Sequence, residues 1–221
     1  NEFKNIHRVA DYFGVSITPI SRIIKNSGIE LTNRRYKVNH DYFNVIDTQE
    51  KAYWLGFLFA DGYIRERKSG NSLELKLSVK DYDHLLLFRE CIGSNHLIKE
   101  SQSKVKYNGG VSISYMVHLA MYSSKLVNSI RKQGIHSRKT FTIERPNIEK
   151  GMMSHFIRGY FDGDGSISYS NKQIVLNFVS GSSKFLLEIS SIFNSIGCKN
   201  ANLVGSNENY KYIQLIVLFV L

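Results

Sequence analysis

Trp54-Leu-Gly-Phe-Leu-Phe-Ala-Asp61-Gly62 and Ile157-Arg-Gly-Tyr-Phe-Asp-Gly-Asp164-Gly165 decide how this chain is read. They stand 103 residues apart, and each is an apolar helical pattern ending in Asp-Gly. Gly56 with Ala60, and Gly159 with Gly163, are i, i+4 pairs on one helix face. Small side chains on a shared face let two helix backbones approach closely. Packed together, the segments deliver Asp61 and Asp164 to the same end of the pair. Two carboxylates brought together repel unless protonated or bridged by a cation, so the repeat predicts a two-carboxylate metal centre on a pseudo-twofold axis.

The pattern after Asp61 changes to period two. Leu73, Leu75, Leu77 and Val79 alternate with Glu74, Lys76, Ser78 and Lys80, which predicts a strand with one buried and one wet face. A helix over Tyr82 to Cys91 is closed by Gly93, a strand begins at Asn95, and Lys104 to Gly110 reads as a basic turn. Val111 to Leu119 alternates again, and a helix from Ser123 to Gln133 leads into the basic loop His136 to Lys139. The same order restarts at Ile148. Strands are expected near Gly165 to Tyr169 and Ile174 to Val179, then a helix over Ser182 to Ser195 closed by Gly197. Further strands are expected near Ala201 to Val204 and Tyr210 to Val217. The expected fold is α+β, with two pseudo-symmetric αββαββα repeats over 47–147 and 148–221. The second repeat is expected to be C-terminally incomplete, lacking the last helix.

The N-terminus reads differently. Asn5 to Phe13 has Ile6, Val9, Ala10 and Phe13 on one helix face. Gly14 breaks the pattern, and Ser16 is placed to cap a helix over Ile17 to Asn26 with Ile20, Ile23 and Ile24 inward. Helix, Gly-containing turn, helix over 1–29 is the helix-turn-helix pattern, which offers Thr18, Ser21, Arg22 and Lys25 to a DNA groove. A helical hairpin that merely packs is the alternative. Residues 30–46, with Arg34, Arg35 and Lys37, read as a basic linker, and Asp47 with Glu50 as a capping box.

With 221 residues, 43% of them hydrophobic and 22% charged, the chain is composed like a globular protein with a sizeable core. A net charge of +10 favours a polyanionic partner, nucleic acid ahead of an acidic membrane surface. Cys91 and Cys198 are isolated and lack metal-ligand spacing. No apolar run reaches membrane-spanning length and no signal peptide is visible, so an intracellular protein without a membrane partner is expected, its compartment unknown. Two repeats in one chain predict a monomer.

The paired segments resemble the two signature helices of the LAGLIDADG homing endonucleases in their single-chain form, from roughly Asp47 onward. The resemblance implies a Mg²⁺-dependent, site-specific, staggered double-strand break in DNA. Asp61 and Asp164 would then be the metal-binding and catalytic carboxylates, each serving one strand. Lys80 and Lys139 match basic positions that surround the reacting waters, while Gly181 stands where Lys80 would have its twin. Phe59 departs from the pattern, occupying the place of the first acidic residue, whereas the second repeat keeps both Asp162 and Asp164. The two sheets would form a saddle over duplex DNA, with Arg65, Arg67, Lys76 and Ser78 on one half and Ser166, Ser168, Ser170 and Asn177 on the other. The same scaffold admits two other roles: an RNA maturase that binds its host intron, and a DNA-binding regulator that does not cut.

Overall fold

The computed structural model describes residues 6–27, 36–107, 110–170, 173–198, 201–205 and 213–220. A small unit, Asn1–Tyr36, holds α1 (Ile6–Phe13) and α2 (Ile17–Asn26), joined at Gly14, whose φ of 63° suits a residue without a Cβ. Ser16 stands at the N-cap position of α2 with an extended backbone, but its side chain makes no capping hydrogen bond. Ala10 is buried, whereas Phe13 and Ile23, both expected inward, are each 63% exposed. Helices of 8 and 10 residues offer too little area to enclose every apolar side chain their sequence carries.

The larger unit, Lys37–Leu221, is built by the repeat. Its first half runs α3 (Gln49–Ala60), β1 (Gly62–Arg65), β2 (Ser72–Ser78), α4 (Tyr82–Cys91), β3 (Ile98–Tyr107), β4 (Gly110–Tyr122) and α5 (Ser124–Lys132). The second runs α6 (Lys150–Asp164), β5 (Gly165–Ser170), β6 (Gln173–Ser180), α7 (Ser183–Ser195), β7 (Ala201–Gly205) and β8 (Ile213–Val220). Both sheets are antiparallel with equivalent strand orders, β1-β2-β4-β3 and β5-β6-β8-β7. Leu73, Leu75 and Leu77 of β2 join Val117, Leu119 and Met121 of β4 in the core, with Leu85 and Phe88 of α4 and Leu126, Val127 and Ile130 of α5. In the second half Phe178, Phe185, Leu186 and Ile189 do the same. Among the described residues no helix is long and apolar enough to cross a membrane.

Several local expectations change. The segment read as a linker is part of the core from Lys37 onward. Tyr42, Phe43 and Ile46 are buried, Asn39 N–H donates to the Ile92 carbonyl (2.9 Å), and Gln133 donates to the Phe43 carbonyl (2.8 Å). Its charges read as solvated, but its aromatic residues decide where it goes; Arg34 and Arg35 lie outside the described residues. Thr48, not Asp47, caps α3, its hydroxyl accepting from Lys51 N–H (3.2 Å). Asp47 instead pairs with Lys51 (2.6 Å), and Glu50 accepts from the Tyr42 hydroxyl (2.6 Å). Strand β2 stops at Ser78, so Val79 and Lys80 belong to a 3₁₀ turn, Val79–Asp81. Strand β3 continues to Tyr107, which shortens the turn expected over Lys104 to Gly110.

Candidate functional site

Helices α3 and α6 meet through the glycines. A Cβ on Gly56 would lie 1.9 Å from the Phe156 carbonyl oxygen, and one on Gly159 would lie 1.9 Å from the Tyr53 carbonyl oxygen. Tyr53 with Phe156, and Gly56 with Gly159, are each 103 residues apart, so the contact is reciprocal, as a twofold axis requires. A Cβ on Gly163 would come 2.4 Å from the Ala60 Cβ and 3.1 Å from Asp61 Oδ2. The crossing leaves no room for side chains larger than those present.

The same twofold relates two unlike contacts. The Tyr53 hydroxyl donates to Asp162 Oδ2 (2.8 Å). The equivalent pair is Phe156 and Phe59, whose rings meet edge to face with centroids 5.0 Å apart. Phe59, buried where the repeat would have an acid, is thus the apolar counterpart of Asp162. Asp162 spends its carboxylate on Tyr53 in the other half.

Asp61 and Asp164 emerge together at the C-terminal ends of the pair, and Asp61 feels the charge of Asp164. Burial, then Asp164, pushes the Asp61 carboxyl up to about 6, partly offset by Lys139; burial likewise raises that of Asp164. Lys139 is close enough for its charge to act on both. Its ammonium donates to the carbonyls of Phe59 and Ala60 (2.6 Å to Ala60), the last of α3, which lack partners within the helix. Burial lowers the Lys139 ammonium to about 8, while Asp164 and Asp61 pull it upward. Arg138, just before it, has φ 63° and is the one non-glycine among the described residues with positive φ; this kink opens the 3₁₀ turn Lys139–Phe141 that carries Lys139.

The two aspartates open into different clefts. Asp61 faces one of about 670 Å³, shared with Lys76 and Ser78 of β2, Asp81, His84 and Asp162. Asp164 faces one of about 90 Å³, shared with Lys139, Tyr160, Ser180 and Gly181. Lys80 is exposed and is not among the walls of the Asp61 cleft; its neighbour Asp81 is, the opposite charge to that expected from this turn. Gly181 has no room for a lysine, since a Cβ there would lie 2.5 Å from the Thr140 carbonyl oxygen. Strand register pairs Gly62 with Leu75 and Gly165 with Phe178, so Gly181 is the counterpart of Ser78, and Ser183, not Gly181 as expected, is that of Lys80. Sequence reasoning also missed Tyr53, which reaches Asp162 and, at 3.3 Å, His84 Nε2. It missed Tyr160 too, whose hydroxyl donates to the Val179 carbonyl (2.7 Å) beside Asp164.

Of the side chains expected to face DNA, Lys76 is exposed and Ser78 partly so. Ser166 and Ser168 are exposed on β5 and Asn177 is partly buried on β6; the Ser170 side chain lies outside the described residues. In α2, Thr18, Arg22 and Lys25 are exposed and Ser21 partly so. Arg65, exposed, and Arg67, partly buried, are both paired with Glu74, which is fully buried although its parity on β2 put it on the wet face.

Residues 151–217 match the family described as LAGLIDADG-like domain, and residues 50–109 match the WhiA LAGLIDADG-like domain. This is a protein of two LAGLIDADG-like domains. A relative in Methanocaldococcus jannaschii, an uncharacterised protein, is 23% identical over 206 residues, spanning 87% of this LAGLIDADG chain and 72% of that one. The homing endonuclease I-WcaI bound to its DNA recognition sequence is similar in structure, with a TM-score of 0.52, 15% identity and 80% of each chain covered. Full-length DUF199/WhiA from Thermatoga maritima aligns at a TM-score of 0.46 and 17% identity, over 81% of this chain and 55% of that one. The likeness to I-WcaI establishes a shared fold.

Two carboxylates are too few for an all-protein metal cage, and among the described residues no cluster of three or more His, Cys, Asp or Glu is placed to hold an ion. Mg²⁺ typically takes one or two carboxylates and completes its shell with water and substrate phosphates. A converging pair whose ionisation burial opposes is a donor set that such a cation fits.

Proposed function

We propose that this LAGLIDADG protein is a Mg²⁺-dependent, site-specific DNA endonuclease that makes a double-strand break. The observation that carries the reading is the reciprocal Gly56/Gly159 crossing, which ends in Asp61 and Asp164 side by side. Asp61 and Asp164 would hold Mg²⁺ together with scissile phosphates, one aspartate for each strand. The bound ion would polarise the phosphate and acidify a coordinated water. Lys139 keeps a positive charge beside both acids while anchoring the end of α3, and so stabilises charge that develops on the phosphate. Lys76 and Ser78, in the cleft with Asp61, are placed to hold phosphate on that side, as Ser166 and Ser168 are on β5. Thr18, Ser21, Arg22 and Lys25 of α2 add a separate DNA contact.

A second reading, DNA binding without cleavage, draws on the same lysine. An ammonium whose charge acts on both carboxylates already offsets part of their charge, as a metal would. Incubation with a genomic or randomised duplex library, in Mg²⁺ or in EDTA, followed by sequencing of ends, separates the two. Endonuclease activity predicts discrete breaks in Mg²⁺ alone that disappear in Asp61→Asn and Asp164→Asn while binding persists. Retained, sequence-selective binding with no breaks in the wild type would replace the first reading by the second.

A further inference from the structure

Glu74 is the most heavily coordinated side chain of the first sheet. Oε1 accepts from Ser72 Oγ (2.6 Å) and Arg67 Nη2 (2.9 Å). Oε2 accepts from the Tyr63 hydroxyl (2.8 Å), lies 3.0 Å from His118 Nε2 and pairs with Arg65 Nε (3.2 Å). The partners come from β1, β2, β4 and the β1–β2 loop, so the cluster knits three neighbouring strands on one face. Glu74 shares that face of β2 with Lys76 and Ser78, which line the Asp61 cleft. From Ser78 it lies roughly 13 Å along the strand, at about 3.3 Å per residue.

Stability alone is a poor reason for such a group. A buried carboxylate needs partners to offset desolvation, and apolar packing would serve as well or better. What the carboxylate adds is the orientation of its arginines, and it orients the two differently. Arg67 gives Nη1 to Ser72 Oγ (2.9 Å) and Nη2 to Glu74, and its guanidinium lies over the Tyr122 ring at 5.3 Å. Both of its terminal nitrogens face inward. Arg65 is gripped at Nε, lies over the Tyr63 ring at 5.6 Å, and is half exposed. Its other hydrogen bond among the described residues, Nη2 to the Tyr63 hydroxyl, is long at 3.4 Å, leaving both Nη1 protons and one Nη2 proton directed away from the carboxylate. A guanidinium fixed at Nε with its far edge free matches the paired acceptors O6 and N7 of guanine in the major groove.

We infer that Arg65 is a guanine-reading residue of the first half-site, that Glu74 is its positioning residue, and that Arg67 is a brace which reads no base. This rests on the DNA-binding part of the proposed function and is independent of cleavage. It also explains a carboxylate on a face meant for a polyanion: enclosed by two arginines and a histidine, it presents a cationic exterior.

The test is selection of bound duplexes from a randomised library without divalent metal, for the full chain and three variants, with melting followed in parallel. Wild type is expected to prefer guanine at a position outside the centre of the site. Arg65→Lys, an exposed and fold-neutral change, is expected to weaken that preference roughly ten-fold or more while leaving other positions intact. Glu74→Gln is expected to weaken the same position while tightening binding to unrelated DNA, because a negative charge is removed. Arg67→Lys is expected to lower the melting temperature and leave the selected base unchanged. An unchanged guanine preference in Arg65→Lys overturns the inference while leaving DNA reading intact, and this variant decides the matter even if Glu74→Gln does not fold. Loss of the preference in Arg67→Lys but not in Arg65→Lys overturns the assignment of roles. A wild type that selects no sequence sinks the DNA-binding reading itself, and the inference with it.

Discussion

Asp61 holds its proton to about 6, well above the roughly 3.9 of an unfolded aspartate, because burial and Asp164 disfavour its charge. For an acid, a raised value means that the folded chain binds the proton more tightly than the unfolded one. The contribution of Asp61 to stability is therefore most favourable below about pH 4, declines as the pH rises towards 6, and then levels off. Asp61→Asn removes this penalty. At pH 7.5 without divalent metal the variant should be more stable by about 1–2 kcal/mol, at about 1.4 kcal/mol per pKa unit and discounted for partial exposure. Calorimetry should show its melting temperature roughly 3–6 °C above wild type, with the gap closing below pH 4. Glu74 behaves in the opposite sense. Burial raises its carboxyl, but hydrogen bonds from Ser72 and Tyr63 and the charge of Arg65 outweigh burial and leave it lowered. Its contribution is present above the unfolded value and is lost as acid protonates the folded carboxylate. Tyr63→Phe, which deletes one of those donors and moves the folded carboxyl back towards its unfolded value, should lower the melting temperature above about pH 5 and flatten the pH 5 to 3 limb of a melting series.

Among the elements, the α3/α6 crossing sets the tolerance of the whole site. Gly56→Ala or Gly159→Ala would place a methyl 1.9 Å from a carbonyl oxygen of the opposite helix, so the helices must separate. Such overpacking costs about 1–3 kcal/mol, or roughly 3–10 °C of melting temperature in a unit of this size. Cleavage should fall further than stability, since separation moves Asp61 away from Asp164; a variant that melts lower but cuts normally would count against a shared centre. This crossing was legible in the sequence, because small residues at i, i+4 followed by Asp-Gly, stated twice, admit few other arrangements. The strands were legible too, through alternation. What alternation hid was Glu74. Period two assigns a residue to a face, but whether that face is wet depends on partners such as His118 and Tyr63, which only strand register brings near. The anchoring of Lys139 was equally hidden, since its acceptors are main-chain carbonyls some 80 residues away, and carbonyls leave no mark in a sequence. Tyr42 and Phe43 disappeared into a stretch whose charges dominated its reading.

For the molecule as a whole, the +10 charge predicts strongly salt-dependent DNA binding. Deleting residues 1–36 should reduce the slope of log affinity against log salt by about two if Arg22 and Lys25 each hold a phosphate, with the position of cleavage unchanged. Fluorescence anisotropy across a salt series measures this; an unchanged slope would leave α2 as packing alone. The unlike pairs across the twofold, Tyr53 with Asp162 and Phe156 with Phe59, bear on how the halves can be recombined as well. A first half mated with its own copy would set Tyr53 against Phe59 on both flanks, two phenols without their carboxylate acceptor. A second half mated with its copy would turn two carboxylates towards phenylalanine rings. Each half is fitted to the other rather than to a copy of itself at these positions. A chimera that borrows a half from another chain must inherit these four positions together.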